Sequence, residues 1–254
     1  MIEVKNVEKS FGDSKVLKGI TTTFETGKTN LIIGQSGSGK TVLLKSLLGI
    51  HTPDKGTISF DGRIYIDLSD KDKRELRTEI GMVFQGSALF DSMTVEENVG
   101  FPLKMFTDKS ASEIKERVNF VINRVNLENA NLKMPSELSG GMQKRVAIAR
   151  AIVNNPKYLF CDEPNSGLDP KTATVIDNLI HEITVEYNIT TVVNTHDMNS
   201  VMEIGEKIIF LKEGLLAWEG SKKEIFKTDN AAIVDFVYSS NLFKKIKKAQ
   251  NKED

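Results

Sequence analysis

The stretch Gly34-Gln35-Ser36-Gly37-Ser38-Gly39-Lys40-Thr41 has the spacing G-x-x-x-x-G-K-[ST] of a phosphate-binding loop. Glycines let the backbone wrap so closely that successive amides and a helix N-terminus face a polyphosphate. Lys40 stands where the lysine reaches the outer phosphates, and the Thr41 hydroxyl can ligate Mg²⁺. A chance Gly/Ser turn would satisfy the same spacing. Here, however, the stretch follows the apolar run LIIG and opens a helical pattern, which is the context phosphate binding requires. All eight residues are therefore candidates to hold a nucleotide.

The segment 158-YLFCDEP-164 is a second chemical element. Its apolar run ending in Asp162 describes a buried strand that delivers a carboxylate at its C-terminal edge, where α/β sheets bind ligands. Asp162 is placed to hold Mg²⁺ directly or through water, and Glu163, free of the metal, to polarise an attacking water. His196, in 191-TVVNTHD-197, also stands just past an apolar strand. Alone it would read as structural. A parallel sheet, though, brings the strand ends at Gly34, Asp162 and His196 to one edge, which favours a γ-phosphate contact that orients the water. Gln85, in 82-MVFQG-86, has the same relation to its strand. It joins Glu163 and His196 as a candidate catalytic residue, and Thr41 and Asp162 as a candidate metal ligand.

A third element is 136-SELSGGMQKRVAIARAI-152. Ser139 can cap a helix beginning near Gly141, which leaves amides pointing outward at a positive helix end, again an anion site. Along that helix Val146, Ala149, Ile152 and Val153 form an apolar stripe, and Lys144 and Arg145 are expected to stay solvated. A glycine-rich helix start needs no function. Yet a chain with one complete phosphate loop has no evident use for a second anion site. Either a second ligand exists, or this site faces another molecule's nucleotide.

The elements that position these residues follow from periodicity. Over residues 2–62, the short β-type runs IEVKNV, TTTF, TNLIIG and GTISF alternate with turns. Between the last two, Val42, Leu43, Leu44, Leu47 and Leu48 recur at helical spacing and Gly49 suits a helix stop. From about Gln85 to Asn155 the pattern turns helical, with Thr94-Val-Glu-Glu97 and Ser110-Ala-Ser-Glu113 as capping boxes. Strand runs return at YLFC, TTVVNT, KIIFL and LLAWE, and Asp169-Pro170 starts a helix running to about Tyr187. Strand and helix in alternation argue for a mainly parallel sheet covered on both faces.

Composition sets the bounds. The chain has 254 residues, 39% hydrophobic and 27% charged, with a formal net charge of -1, so no basic field signals nucleic acid. The single cysteine, Cys161, excludes an internal disulfide and sits in an apolar run as a small buried hydrophobe. The start MIEVKNVEK carries charge where a signal peptide needs an apolar region, and no apolar run approaches the ~20 residues that span a bilayer. A soluble, cytoplasmic protein is expected, with any membrane association arising through a partner. The basic tail 244-KKIKKAQNKED-254 reads as a solvated helix end or as a contact with anionic lipid or a partner.

Taken together these residues resemble the ATP-binding cassette family of ATPases over nearly the whole chain. LSGGM resembles its signature, GQSGSGKT its phosphate loop, YLFCDE its second acidic motif, and SGLD at 166–169 its D-loop. Gln85 and His196 occupy the places of its Q-loop and switch histidine, and Phe11 that of an aromatic which stacks on adenine. The resemblance implies an α/β, P-loop NTPase nucleotide-binding domain with a mainly parallel core, an antiparallel β subdomain and an inserted helical subdomain. On this sequence the core and β subdomain take 1–84 and 156–225, the helical insertion 85–155, and a C-terminal helical tail 226–254. It also implies a head-to-tail homodimer with two ATP molecules sandwiched between the phosphate loop of one subunit and the signature of the other. Ser139, Gly140 and Gly141 would then contact the partner's γ-phosphate, and Asp169 would communicate between the two sites. ATP and Mg²⁺ are the implied ligands.

Within the family, 81-GMVFQGSALFDSMTVEENVGFPL-103 and 134-MPSELSGGMQKR-145 are most similar to the ATPases of phospholipid transporters that maintain lipid asymmetry. Those systems pair a transmembrane permease with a lipid-binding protein of the mammalian-cell-entry type, and their ATPase sits on the cytoplasmic face of the inner membrane. ATPases of amino-acid import or lipoprotein release share most of the motifs. Non-transport cassettes acting on nucleic acid or ribosomes carry long coiled-coil inserts or paired cassettes, which this chain lacks. Three residues depart from the common pattern. Phe11 replaces a Tyr and keeps the stacking surface, Met142 replaces a Gln outside the Ser-Gly-Gly contact, and Asn165 replaces a Thr with no consequence that the sequence reveals.

Overall fold

A computed structural model describes residues 1–237. The basic tail and the part of the expected helical tail beyond residue 237 lie outside the described residues.

β1 (Ile2–Phe11) and β2 (Ser14–Phe24) form one long antiparallel hairpin, with Ile2 opposite Phe24 and Phe11 opposite Ser14. Both arms outrun the expected IEVKNV and TTTF. The added residues mix charged, polar and apolar side chains, and charged ones pair across the strands, as Lys15 does with Glu8 at 2.9 Å, so no continuous apolar run marks them. β4 (Lys55–Phe60) and the short β5 (Arg63–Ile64) complete a four-stranded sheet in the order β2-β1-β4-β5.

The second sheet holds β3 (Thr29–Ile33), β6 (Ile80–Val83), β7 (Tyr158–Asp162), β8 (Thr190–Asn194), β9 (Lys207–Lys212) and β10 (Leu215–Gly220). Their order is β10-β9-β3-β8-β7-β6, all parallel except the antiparallel edge strand β10. Every residue of β3 and β8 is buried, as expected of parallel strands covered on both faces. The pleat sends Ile32 to one face, against Leu43, Leu47 and Phe160, and Leu31 and Ile33 to the other, against Ile180, Val193 and Phe210.

The first face is covered by α1 (Lys40–Leu47) and the antiparallel sheet, the second by α6 (Pro170–Glu186), α7 (Met198–Ile204) and α8 (Ala231–Val237). Between β6 and β7 the chain runs through α3 (Val95–Phe106), α4 (Ala111–Arg124) and α5 (Gly140–Ile152). Thr94/Glu97 and Ser110/Glu113 both close full capping boxes. α2 (Asp70–Thr78) was not foreseen, because it buries only Leu76 and so shows no apolar stripe. Among the described residues, no helix is long and apolar enough to cross a membrane.

Candidate nucleotide site

The C-terminal ends of β3, β7 and β8 open onto a cleft of about 590 Å³, lined by the loop after β3, the start of α1, Glu163 and His196. The loop owes its path to glycine. Gly34 has φ 152°, and a Cβ there would stand 2.3 Å from the Leu211 carbonyl oxygen and 2.6 Å from Ser38 Oγ. Ser38 Oγ is itself buried with no hydrogen-bond partner among the described residues, an acceptor and donor left over in a loop that suits a polar ligand. Lys40 is buried and its Nζ donates to the Gly34 and Gln35 carbonyls at 2.9 and 3.1 Å, across the concavity. Burial holds its ammonium below the ordinary lysine range, and the charges of Glu163 and Asp162 oppose that shift. Gln35, Ser36, Gly37 and Thr41 also line the cleft, whereas Ser38 lies beneath it.

Glu163 departs from the strand at φ 44°, a left-handed conformation that a glutamate adopts only when its surroundings enforce it. The enforcing contact is its own N–H, which donates to the Asn194 carbonyl at 2.8 Å. The turn places its carboxylate between two predicted residues: Gln85 Nε2 donates to Oε2 at 3.2 Å, and His196 Nδ1 lies 2.9 Å from Oε1. Three strand ends thus meet in one hydrogen-bonded group. Gln85 Nε2 also lies 3.3 Å from Ser166 Oγ, so the amide oxygen remains for a cation. Asp162 accepts from Asn194 Nδ2 at 2.6 Å through Oδ1. With Thr41 these groups offer oxygen donors only, the chemistry that suits Mg²⁺.

Ser139 caps α5 as expected, accepting from the Met142 N–H at 3.3 Å. The helix starts at Gly140, one residue earlier than read. Ser139 and Gly140 are exposed and do not line the cleft of their own chain. Gly141 packs on α6 so closely that a Cβ would meet Thr172 Cγ2 at 2.7 Å. Asp169 caps α6, accepting from the Lys171 and Thr172 N–H groups at 3.1 Å; the Thr172 side chain first, and then these backbone bonds, hold its carboxyl below the usual range. Phe11 is exposed at the end of β1, its ring edge-on to His51 at 5.1 Å, and it does not line the cleft.

The expectation for Lys144 fails. It is 4% exposed, and its Nζ crosses to donate to the Gln85 carbonyl. Arg145 is half-buried and donates to the Val125 carbonyl at 3.1 Å. The helix bearing the Ser-Gly-Gly start therefore grips the Gln85 loop. Arg150, one and a half turns on, donates to the Ser87 and Ala88 carbonyls at 2.7 Å each, where both residues hold positive φ. Arg150→Ala should cost about 2 kcal/mol through the lost charge-assisted bonds. That corresponds to a fall of about 4–8 °C in Tm by calorimetry.

Sequence reasoning also missed Val16, Asn194 and Phe236. Val16 and Phe236 line the cleft from β2 and α8, and only the tertiary fold brings them there. Asn194 could have been found, since it ends the β8 run two residues before His196.

Comparison with known proteins now decides the family. Residues 17–166 match the family described as ABC transporter. The chain belongs to that family. Its ABC cassette is 37% identical over 236 residues to the probable ribonucleotide transport ATP-binding protein mkl of Mycobacterium leprae, covering 93% of this chain and 68% of that protein. It is 41% identical over 226 residues to the methionine import ATP-binding protein MetN of Clostridium tetani, covering 89% of this chain and 71% of that one. The chain thus spans about two thirds of the length of the curated relatives it matches. A bacterial ABC transporter cassette solved as a dimer superposes with a TM-score of 0.79 at 36% identity, covering 87% of this chain and 99% of that one. The same cassette in a post-hydrolysis state bound to ADP and Pi gives a TM-score of 0.78 at 35% identity, with the same coverage. The α/β cassette fold and an ATP-hydrolysing role follow for this chain.

Proposed function

We propose that this ABC ATPase works as a head-to-tail homodimer that energises a transmembrane permease, and that its cargo is phospholipid moved between bacterial membranes. The observation that carries the hydrolytic part is Glu163, held by Gln85 and His196 at the mouth of the phosphate-loop cleft. The loop amides and Lys40 bind the ATP phosphates, and Phe11 takes the adenine. Thr41, Asp162 and the Gln85 amide oxygen hold Mg²⁺. When bound, that cation neutralises charge on the outer phosphates. Glu163 accepts a hydrogen bond from the attacking water and polarises it, while His196 contacts the γ-phosphate. Ser139 and Gly140, exposed and away from their own cleft, complete the partner's site together with Gly141, and Asp169 links the two.

On this reading residues 1–84 and 156–225 are the nucleotide-binding core, and 85–155 carry its motion to the permease. Support comes from an apolar groove of about 270 Å³ beside the Gln85 loop, whose lining includes Phe84, Phe90, Phe101 and Phe106. Phe84, Phe90 and Phe106 are large exposed hydrophobics, an arrangement that suits a helical partner. The permease would hold the subunit on the cytoplasmic face of the inner membrane, with a lipid-binding protein of the mammalian-cell-entry type in the complex. Nucleic acid has no part in it.

The relatives' names differ in cargo, so the phospholipid reading rests on the likeness of 81–103 and 134–145 described above. Tagged protein purified with its membrane partner should bring down a permease carrying phospholipid, identified by mass spectrometry. Recovery of a small-solute permease would instead support amino-acid import, the reading favoured by the methionine import relative.

A further inference from the structure

Asn165, which the sequence left without a role, stands at the centre of a buried polar cluster. Asn165, Asp177 and Ser200 are 8%, 2% and 1% exposed. The Asn165 amide donates to Asp177 Oδ2 at 3.1 Å and to Ser200 Oγ at 2.7 Å, with Asp177 Oδ1 at 3.4 Å. The single amide nitrogen of Asn165 thus bridges the Asp177 carboxyl and the Ser200 hydroxyl. Burial pushes that carboxyl up to about 6, and Asp197 and Glu203 add to the shift while Ser200 and Asn165 oppose it.

The three residues belong to three segments. Asn165 lies between Glu163 and Asp169, Asp177 in α6, and Ser200 in α7, one turn beyond His196. The Asp177 carboxyl and the Ser200 hydroxyl both draw on the Asn165 amide, so the segments cannot shift separately without stranding a buried polar atom. Glu163 and His196 meet 2.9 Å apart at the top of the same two connections.

We propose that Asn165, Asp177 and Ser200 form a latch that positions Glu163 and Asp169 against the His196 segment, and that ATP turnover depends on it. They are positioning residues, since none lines the cleft. The inference rests on the hydrolytic reading of Glu163 and His196.

Steady-state ATPase assays on the full chain test it, with folding checked by thermal melting. Asn165→Asp sets two carboxylates face to face and should lower kcat about tenfold, within the loss of up to about 100-fold that a misplaced catalytic group can cause, with KM for ATP within about twofold. Asp177→Asn sets two amides together and should act alike. The exchange Asn165→Asp with Asp177→Asn restores one carboxylate and one amide and should recover most of the loss. Ser200→Ala changes no charge and keeps the test open if Asn165→Asp does not fold; it should lower kcat about threefold with KM unchanged. Wild-type kcat in Ser200→Ala and Asp177→Asn, a change in KM alone, or an exchange no better than the worse single variant would overturn the latch. Glu163→Gln in the same assay separates the two failures. If it abolishes turnover while the triad variants do not, the latch alone falls; if it turns over normally, the reading beneath it falls too.

Discussion

Glu163→Gln should bind Mg·ATP with near-wild-type affinity and lose at least about 100-fold in kcat, the effect of removing a positioned general base. The replacement keeps the shape of the side chain and suits its surroundings. An amide oxygen can still accept from Gln85 Nε2, and the amide N–H can donate to His196 Nδ1 in its accepting tautomer. The left-handed backbone at Glu163 is no harder for glutamine than for glutamate. What disappears is the negative charge that polarises water. Because binding survives and hydrolysis does not, the variant should accumulate as an ATP-bound dimer, visible as a doubling of mass in size-exclusion chromatography with light scattering. Turnover close to wild type would remove Glu163 from the role.

Lys40→Ala acts earlier, on binding. Lys40 is the cation inside the phosphate loop, where burial already strips water from its ammonium and primes it for an anion. Its loss should weaken nucleotide binding at least about tenfold, since charge-assisted bonds of this kind are each worth about 1.5–3 kcal/mol. The Gly34 and Gln35 carbonyls would lose a donor as well, which loosens the loop. Ser139→Arg should be inactive for a different reason. Ser139 is exposed at the α5 N-terminus, so the arginine leaves the fold intact and blocks whatever approaches that surface. Ser139→Arg should still bind nucleotide in its own cleft, which equilibrium binding of a fluorescent ATP analogue will measure.

The geometry of the candidate site could be read early because its parts are local. Gly34, Asp162 and His196 each follow an apolar run, and a parallel sheet gathers such ends on one edge by topology alone. The capping boxes at Thr94 and Ser110 are local too. What escaped depends on partners far along the chain. Lys144 is a surface residue by helical position, yet it is buried because the Gln85 loop folds over α5. Asp177 sits beside the Ile176, Ile180 and Ile183 stripe of α6 and gains its meaning only when Asn165 and Ser200 arrive. α2 is mostly charged and buries only Leu76, and pattern reading is weakest where little apolar surface is buried.

The central claim is that each chain completes its neighbour's site, and mixing the two inactive variants addresses it directly. In a heterodimer of Lys40→Ala with Ser139→Arg, one composite site carries both lesions and the other carries none. Random pairing makes half of the dimers mixed, each with one intact site of two, so ATPase activity should return to about a quarter of wild type. If each chain completed its own site, every site in the mixture would carry a lesion, and activity no higher than that of the separate variants would contradict the account.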